Sequence, residues 1–236
     1  MDIDTAIVGG LLNGATTDII RAEYLRSEGI QLDYLTTTNM YWLLMANRLA
    51  RIKGLQQLGD KMIAVTRHSA TDYLTDLHLA GVKTSADVFR VQINNVSLRY
   101  DMLVNNEMDA VWLPEPFATK ARLQGHVPIA DSRHSDENFG VLAVSSKIKQ
   151  TEEGRRQLES FCKAYNSACD SINKRGVSAY AGLIAKWCEV DISEADSLPS
   201  LHYSHVSQPQ EEQVAKARDF VEKWKKTQYL SQDGNR

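Results

Sequence analysis

Ala110-Val111-Trp112-Leu113-Pro114-Glu115-Pro116-Phe117-Ala118-Thr119-Lys120 reads AVWLPEPFATK. Its first five residues are a short apolar run closed by proline, the pattern of a buried strand. Pro116 then suits the first turn of a helix that continues to Gly125. Glu115 sits between the two prolines, at the carboxyl end of the strand. In open α/β sheets that end faces the ligand crevice. Two readings of Glu115 stand side by side. Either it accepts hydrogen bonds from a cationic or amine-bearing ligand, or it caps the following helix or pairs with a lysine. Strand alternation puts Trp112 on the face opposite Leu113 and Glu115, which favours packing in the core over stacking on a ligand.

Working outward, residues 55–131 alternate strands and helices. KMIAV (61–65) is an apolar strand. SATDYLTDLHLAG (69–81) is a helix with Gly81 as its stop. VFRVQI (88–93) alternates as a strand, and SLRYDMLVNNE (97–107) is a helix capped by Ser97. VPIA (127–130) is a last short strand. Strand-helix alternation at this spacing implies a parallel sheet with right-handed crossovers. Upstream, a helix end, a turn at Asn13-Gly14, a short strand, a helix to Gly29 and the strand IQLDYLTT (30–37) follow in order. YWLLMAN (41–47) and FGVLAVS (139–145) are continuous apolar strands of the kind buried on both faces.

From residue 151 the chain is almost wholly helical. TEEGRRQLESFCKAYNSACDSINKRG has Thr151 as cap, acids in its first turn and Gly176 as its stop. Its apolar face carries Leu158, Phe161, Tyr165, Ala168, Cys169 and Ile172. VSAYAGLIAKWCEV and PQEEQVAKARDFVEKWKKTQYL are a second and a third helix. The pattern predicts an α/β architecture of two lobes joined by two crossing strands, near 41–47 and 139–145, with a helical C-terminal segment. The first lobe is discontinuous, 1–45 and 142–236, and the second is 46–141. A cleft between two such lobes is the natural ligand position.

Composition narrows the function. The 236 residues carry a net charge of −3, so there is no global basic field. That sets nucleic acid and an anionic membrane aside as main partners. No apolar run approaches the ~18 residues of a membrane span. Cys162, Cys169 and Cys188 are an odd set outside any metal-ligand spacing, and read as small buried apolar residues. His202 and His205 are three apart in a loop-like stretch without an acid or cysteine beside them in sequence, so no metal site is expected. There is no Gly-x-Ser-x-Gly elbow, no phosphate-binding P-loop and no Gly-x-Gly-x-x-Gly fingerprint. No cofactor is implied, and none of these enzyme signatures is present.

A Pro-Glu-Pro-Phe after MDAVWL and before ATKARLQG resembles the periplasmic solute-binding proteins of type II topology, in the group that serves importers of nitrate, sulfonates, taurine and thiamine-pyrimidine precursors. Four further stretches fit in the same order: NGATTDIIRAEYLRSEGIQLDYLTT, GLQQLGDKMIAVTRHSATDYLTDLHL, ENFGVLAVSSKI and FCKAYNSACDSINKRG. The resemblance implies capture of a small polar solute by hinge closure, delivery to the membrane permease of an ABC importer, and a periplasmic or lipoprotein-anchored location. It also implies a leader and an opening strand-helix-strand that the sequence as it stands does not begin with. The first lobe is therefore expected to be incomplete at its N-terminus. An open sheet edge would allow a homodimer, or a regulatory remnant in place of a transport protein. Some relatives of this fold instead make the thiamine pyrimidine as enzymes.

The candidate ligand-binding residues follow from that frame. Thr16, Thr17 and Asp18 cluster at a strand end in the first lobe, where Asp18 also suits a helix cap. Arg67, His68, Ser69 and Thr71 form the matching turn in the second lobe. Free backbone N–H groups at such a helix start make an anion or carbonyl site. Glu115 is the carboxylate described above. Asn138 lies where the chain returns between the lobes, beside Phe139, whose alternative role is packing in the hinge.

Overall fold

The computed structural model describes residues 3–135 and 138–233. In chain order the elements are α1 (Ile3–Val8), β1 (Gly14–Asp18), α2 (Ile19–Ser27), β2 (Leu32–Thr37), β3 (Trp42–Ala46), β4 (Met62–Val65), α3 (Ala70–Leu79), β5 (Phe89–Gln92), α4 (Val96–Val104), β6 (Ala110–Pro114), α5 (Phe117–Leu123), β7 (Val127–Asp131), β8 (Gly140–Ser145), α6 (Glu152–Arg175), α7 (Ala181–Cys188), α8 (Ile192–Asp196) and α9 (Glu211–Asp233).

Two sheets organise the chain, in the two-lobed α/β arrangement that the alternation predicts. The first has three strands in the order β1-β8-β2, with β8 antiparallel to both neighbours. The second has five, in the order β5-β4-β6-β3-β7. Its β4, β5 and β6 are parallel, and each is followed by a helix. The amino ends of α3, α4 and α5 therefore share the carboxyl edge of the sheet. Strand β3 runs antiparallel to β6 and β7 and opposes Leu44 to Trp112. Because β3 pairs along its whole length in the second sheet, the chain leaves the first sheet before Trp42, ahead of residue 46 where the sequence reading divides the lobes. The return is made before Gly140, since β8 lies in the first sheet. The strands 41–47 and 139–145 are thus the first strands reached after each passage, and the described residues of the passages are 38–41, 132–135 and 138–139.

Burial explains the apolar runs. Every residue of β3 is buried, and Trp112 of β6 is 0% exposed. Trp112 is a core residue, as alternation predicts: its indole N–H donates to Thr75 Oγ1 at 2.8 Å. The largest core cluster does not respect the division into sheets. It joins Ile19 and Ile20 of α2, Tyr34 of β2 and Val214, Ala217 and Val221 of α9 to Leu44, Ile63, Val65, Leu74 and Trp112. Tyr73 of α3 meets Phe139 and Phe220 edge-on, at 5.1 and 5.2 Å between ring centres. The lobes therefore press together over an apolar surface.

Local chemistry sets the helix ends. Ser69 caps α3 by accepting from Thr71 N, and Thr151 caps α6 by accepting from Gly154 N. Helix α4 corrects the expected cap: Asn95 accepts from Leu98 N, which starts the helix one residue earlier and leaves Ser97 inside its first turn. Asparagine's short amide reaches the third amide of the helix as well as a serine does. Gly176 ends α6 at φ 79°, where a side chain would be strained. The expected helix over 177–190 divides into a 3-10 turn, 177–180, and α7. Helix α8 goes unread in the sequence, although Glu194 reaches back to Asp191 N at 2.8 Å in the manner of a capping box. The apolar face expected on α6 is only partly covered: of its six residues Cys169 alone is buried, while Phe161 is 42% exposed.

Helix α9 clasps the first sheet. Its apolar face packs on α2, and Arg218 and Lys225 pair with Glu23 and Glu28. Glu23 is a buried carboxylate with partners for both oxygens: Tyr34 Oη and Arg26 Nη1 donate to Oε1, and Arg218 Nε to Oε2. Removing any one of these donors would leave charge buried without its partner.

Candidate ligand cleft

The turn that ends β1 and starts α2 brings Asp18 to the junction of the sheets. Thr16 points outward, Thr17 is half-buried, and Asp18 is 8% exposed. Asp18 caps α2, its Oδ1 accepting from Arg21 N at 2.8 Å. The same oxygen accepts from Ala70 N, the first residue of α3 in the other lobe, at 2.9 Å. One carboxylate oxygen therefore serves two helix starts that belong to different sheets. Both helices present their positive ends there.

The matching turn in the second lobe is folded on itself. Ser69 Oγ donates to Thr66 O at 2.7 Å, and Thr71 Oγ1 accepts from Thr66 N at 2.9 Å. Ser69 and Thr71 are buried, so their hydroxyls hold the turn. His68 has φ 57°, and its imidazole lies 4.5 Å from the Tyr24 ring and 3.5 Å from the Trp224 ring. Burial, helped by the Arg21 guanidinium, pushes its pKa down to about 4, so the ring is neutral near pH 7. The Arg67 carbonyl accepts from Arg21 Nη1 at 3.3 Å, a second link between the lobes.

The remaining candidates gather beside the two passages. Glu115 Oε1 accepts from Tyr41 Oη at 2.7 Å, and Glu115 Oε2 accepts from Thr119 N at 2.8 Å. The helix-capping reading of this carboxylate is realised in the second bond. The first comes from a tyrosine in the outgoing passage. Burial and the adjoining carboxylate together raise the Tyr41 pKa, so its proton stays on the phenol. The Arg133 guanidinium lies over the Tyr41 ring, 4.1 Å from its centre. Asn138 Oδ1 accepts from Gly140 N at 3.2 Å. Asn39, Tyr41, Arg133 and Asn138 are among the residues that line a cavity of about 280 Å³ here.

Two residues that sequence reasoning passed over stand out. Tyr41 was legible only as the start of an apolar strand. Arg99, in the second turn of α4, is 2% exposed. Its Nε and Nη1 have no hydrogen-bond partner. An arginine in a helix of ordinary composition carries no signal of burial, so nothing local marked it. His205 corrects an expectation in the other direction: the fold brings Asp170 to 2.7 Å from its Nε2. Among the described residues no group of three or more histidines, cysteines or acids is placed to hold a metal, and no helix is long and apolar enough to cross a membrane.

No protein-family model matches the chain, and no curated protein matches it. Solved structures do. The periplasmic aliphatic sulphonate binding protein SsuA of Escherichia coli superposes with a TM-score of 0.72 at 16% identity, over 95% of this chain and 78% of that one. The alkanesulfonate-binding SsuA of Xanthomonas axonopodis pv. citri, bound to MOPS, gives 0.72 at 16% identity, over 96% and 78%. A ligand-binding component of an ABC-type import system from Staphylococcus aureus gives 0.70 at 12% identity, over 97% and 77%. The chain has the fold of these type II solute-binding proteins.

Proposed function

We propose that this chain captures a small polar solute between its two lobes and presents it to the membrane permease of an ATP-driven importer, without performing chemistry on it. The observation that carries the reading is the bond from Ala70 N to Asp18. It supports placing the starts of α2 and α3, one from each lobe, at a common buried point between the sheets. Helix starts converging on one point are suited to a polar ligand group. The likeness of fold to import-system binding proteins supports the same role.

The lobes proposed here are the three-stranded sheet with α1, α2, α6 and α9, and the five-stranded sheet with α3, α4 and α5. Residues 38–41, 132–135 and 138–139 serve as the hinge. Closure is favoured by whatever the solute binds better in the closed than in the open state. The state described is closed, because Asp18 and the aromatic contacts of Tyr73 already bridge the lobes. The proposed contacts come from Thr17, the 66–71 turn, Glu115 and Asn138, and the bond from Ala70 N to Asp18 marks where the polar group of the solute sits. His68 serves through its backbone, since its ring is packed between Tyr24 and Trp224. Both oxygens of Glu115 accept hydrogen bonds from the protein, which weighs against an amine as the principal ligand group.

A thermal-shift screen with alkanesulfonates, taurine, nitrate, aminopyrimidine thiamine precursors and pyridoxal phosphate tests the reading. A true solute at a hundred times its Kd adds about 2.7 kcal/mol of apparent stability. Silence across the set would count against solute capture.

A further inference from the structure

The buried guanidinium of Arg99 has no part in the fold as described so far. Burying a charged group with donors unsatisfied costs stability, and native chains seldom keep such a group without a use for it. Position suggests the use. Helix α4 starts at the carboxyl edge of the second sheet, as α3 does, and helical side chains lean toward the amino end of their helix. The Arg99 side chain therefore runs toward the edge where Asp18 of the first lobe meets Ala70. The charged group that bears on its guanidinium is Asp18.

We propose that Arg99 is the residue that recognises an anionic group of the solute, a carboxylate, sulfonate or phosphate, and that Asp18 is the protein's own competitor for the place of that group at the start of α3. This deepens the solute-capture reading and rests on it. In the closed form the Asp18 carboxylate takes the amide of Ala70. Opening withdraws Asp18 with the first lobe and uncovers that amide and Arg99. An incoming anion then takes two donors at the Arg99 fork and the amide at the start of α3. Such charge-assisted pairs are strong and directional. Asp18 is thereby a competitor: it holds the two lobes together and sets the affinity an acid must exceed.

The test compares the wild-type chain with Arg99→Met and Asp18→Asn, by thermal shift and titration calorimetry. The probes are ethanesulfonate, acetate, inorganic phosphate and, as a contrast without an acid group, an aminopyrimidine. The wild-type chain should respond to at least one anion. Arg99→Met should abolish that response while the chain still unfolds in one cooperative transition. Asp18→Asn keeps an oxygen for Ala70 and Arg21 but removes the competing charge, and should tighten anion binding by about tenfold. An anion response that survives in Arg99→Met overturns the proposal. So does anion binding by Asp18→Asn that is no tighter than that of the wild-type chain. A wild-type response to the aminopyrimidine alone overturns the anion assignment and leaves solute capture standing. Silence with all four probes overturns both.

Discussion

Tyr41 Oη donates to Glu115 Oε1 at 2.7 Å, tying the outgoing passage between the lobes to the carboxyl end of β6. The carboxylate has a second task, since Oε2 caps the first turn of α5 through Thr119 N. One side chain thus fixes both a helix start and one of the two passages between the sheets.

That pairing predicts coupled losses. Glu115→Ala should destabilise the chain by about 1–3 kcal/mol, through a lost cap and an orphaned phenol. Tyr41→Phe should cost about 1 kcal/mol. The double variant should lose less than the sum, because the shared bond is counted once. Urea unfolding of the four chains measures this, and strict additivity would show that the two side chains act independently.

The buried indole makes a second prediction. Trp112→Phe removes volume from a fully enclosed site and leaves Thr75 Oγ1 without its donor. The expected cost is about 2–4 kcal/mol. Thr75→Val should weaken the fold less, since it keeps the side-chain volume and removes one hydroxyl that accepts from the indole and donates to Thr71 O. A Trp112→Phe midpoint equal to that of the parent would place the indole outside the core.

Acid should loosen the junction at His68. Its folded pKa of about 4 lies below the ordinary 6.5, so the unfolded chain takes up the proton first. Stability from this group is therefore intact above pH 6.5 and declines as pH falls toward 4. The loss should amount to about 1–2 kcal/mol, less than full linkage because the side chain is only partly buried. His68→Asn tolerates the positive φ and cannot titrate in this range, so its stability should fall less steeply with pH between those values. Parallel pH profiles for the two chains would refute the assignment.

Gly140 stands where the returning passage meets the outgoing one. Its carbonyl accepts from Thr38 N at 2.8 Å. A Cβ there would meet Thr38 Oγ1 and would come within 2.6 Å of Met40 Cβ. Gly140→Ala should therefore cost about 1–3 kcal/mol by forcing the passages apart. An unchanged melting temperature would mean that the passages shift without strain.

What the sequence by itself determined was the local grammar. Apolar runs such as 42–46 and 110–114 marked buried strands, because a strand covered on both faces has no polar side to show. Ser69, Thr151, Gly81 and Gly176 marked helix ends, because caps and left-handed turns have short-range chemistry that few residues satisfy. The alternation over 55–131 marked the parallel sheet. Tertiary structure alone decided which groups meet. Asp18 and Ala70 are 52 positions apart, and only the closing of one lobe on the other puts a carboxylate on the start of α3. Arg99 lies at an unremarkable helical position, and its burial comes from elements elsewhere in the chain. His68, read as a donor at a turn, has its ring claimed by Trp224 from the last helix. The physical reason is range: capping and periodicity act within a few residues, while burial and hydrogen-bond pairing depend on the whole packed chain.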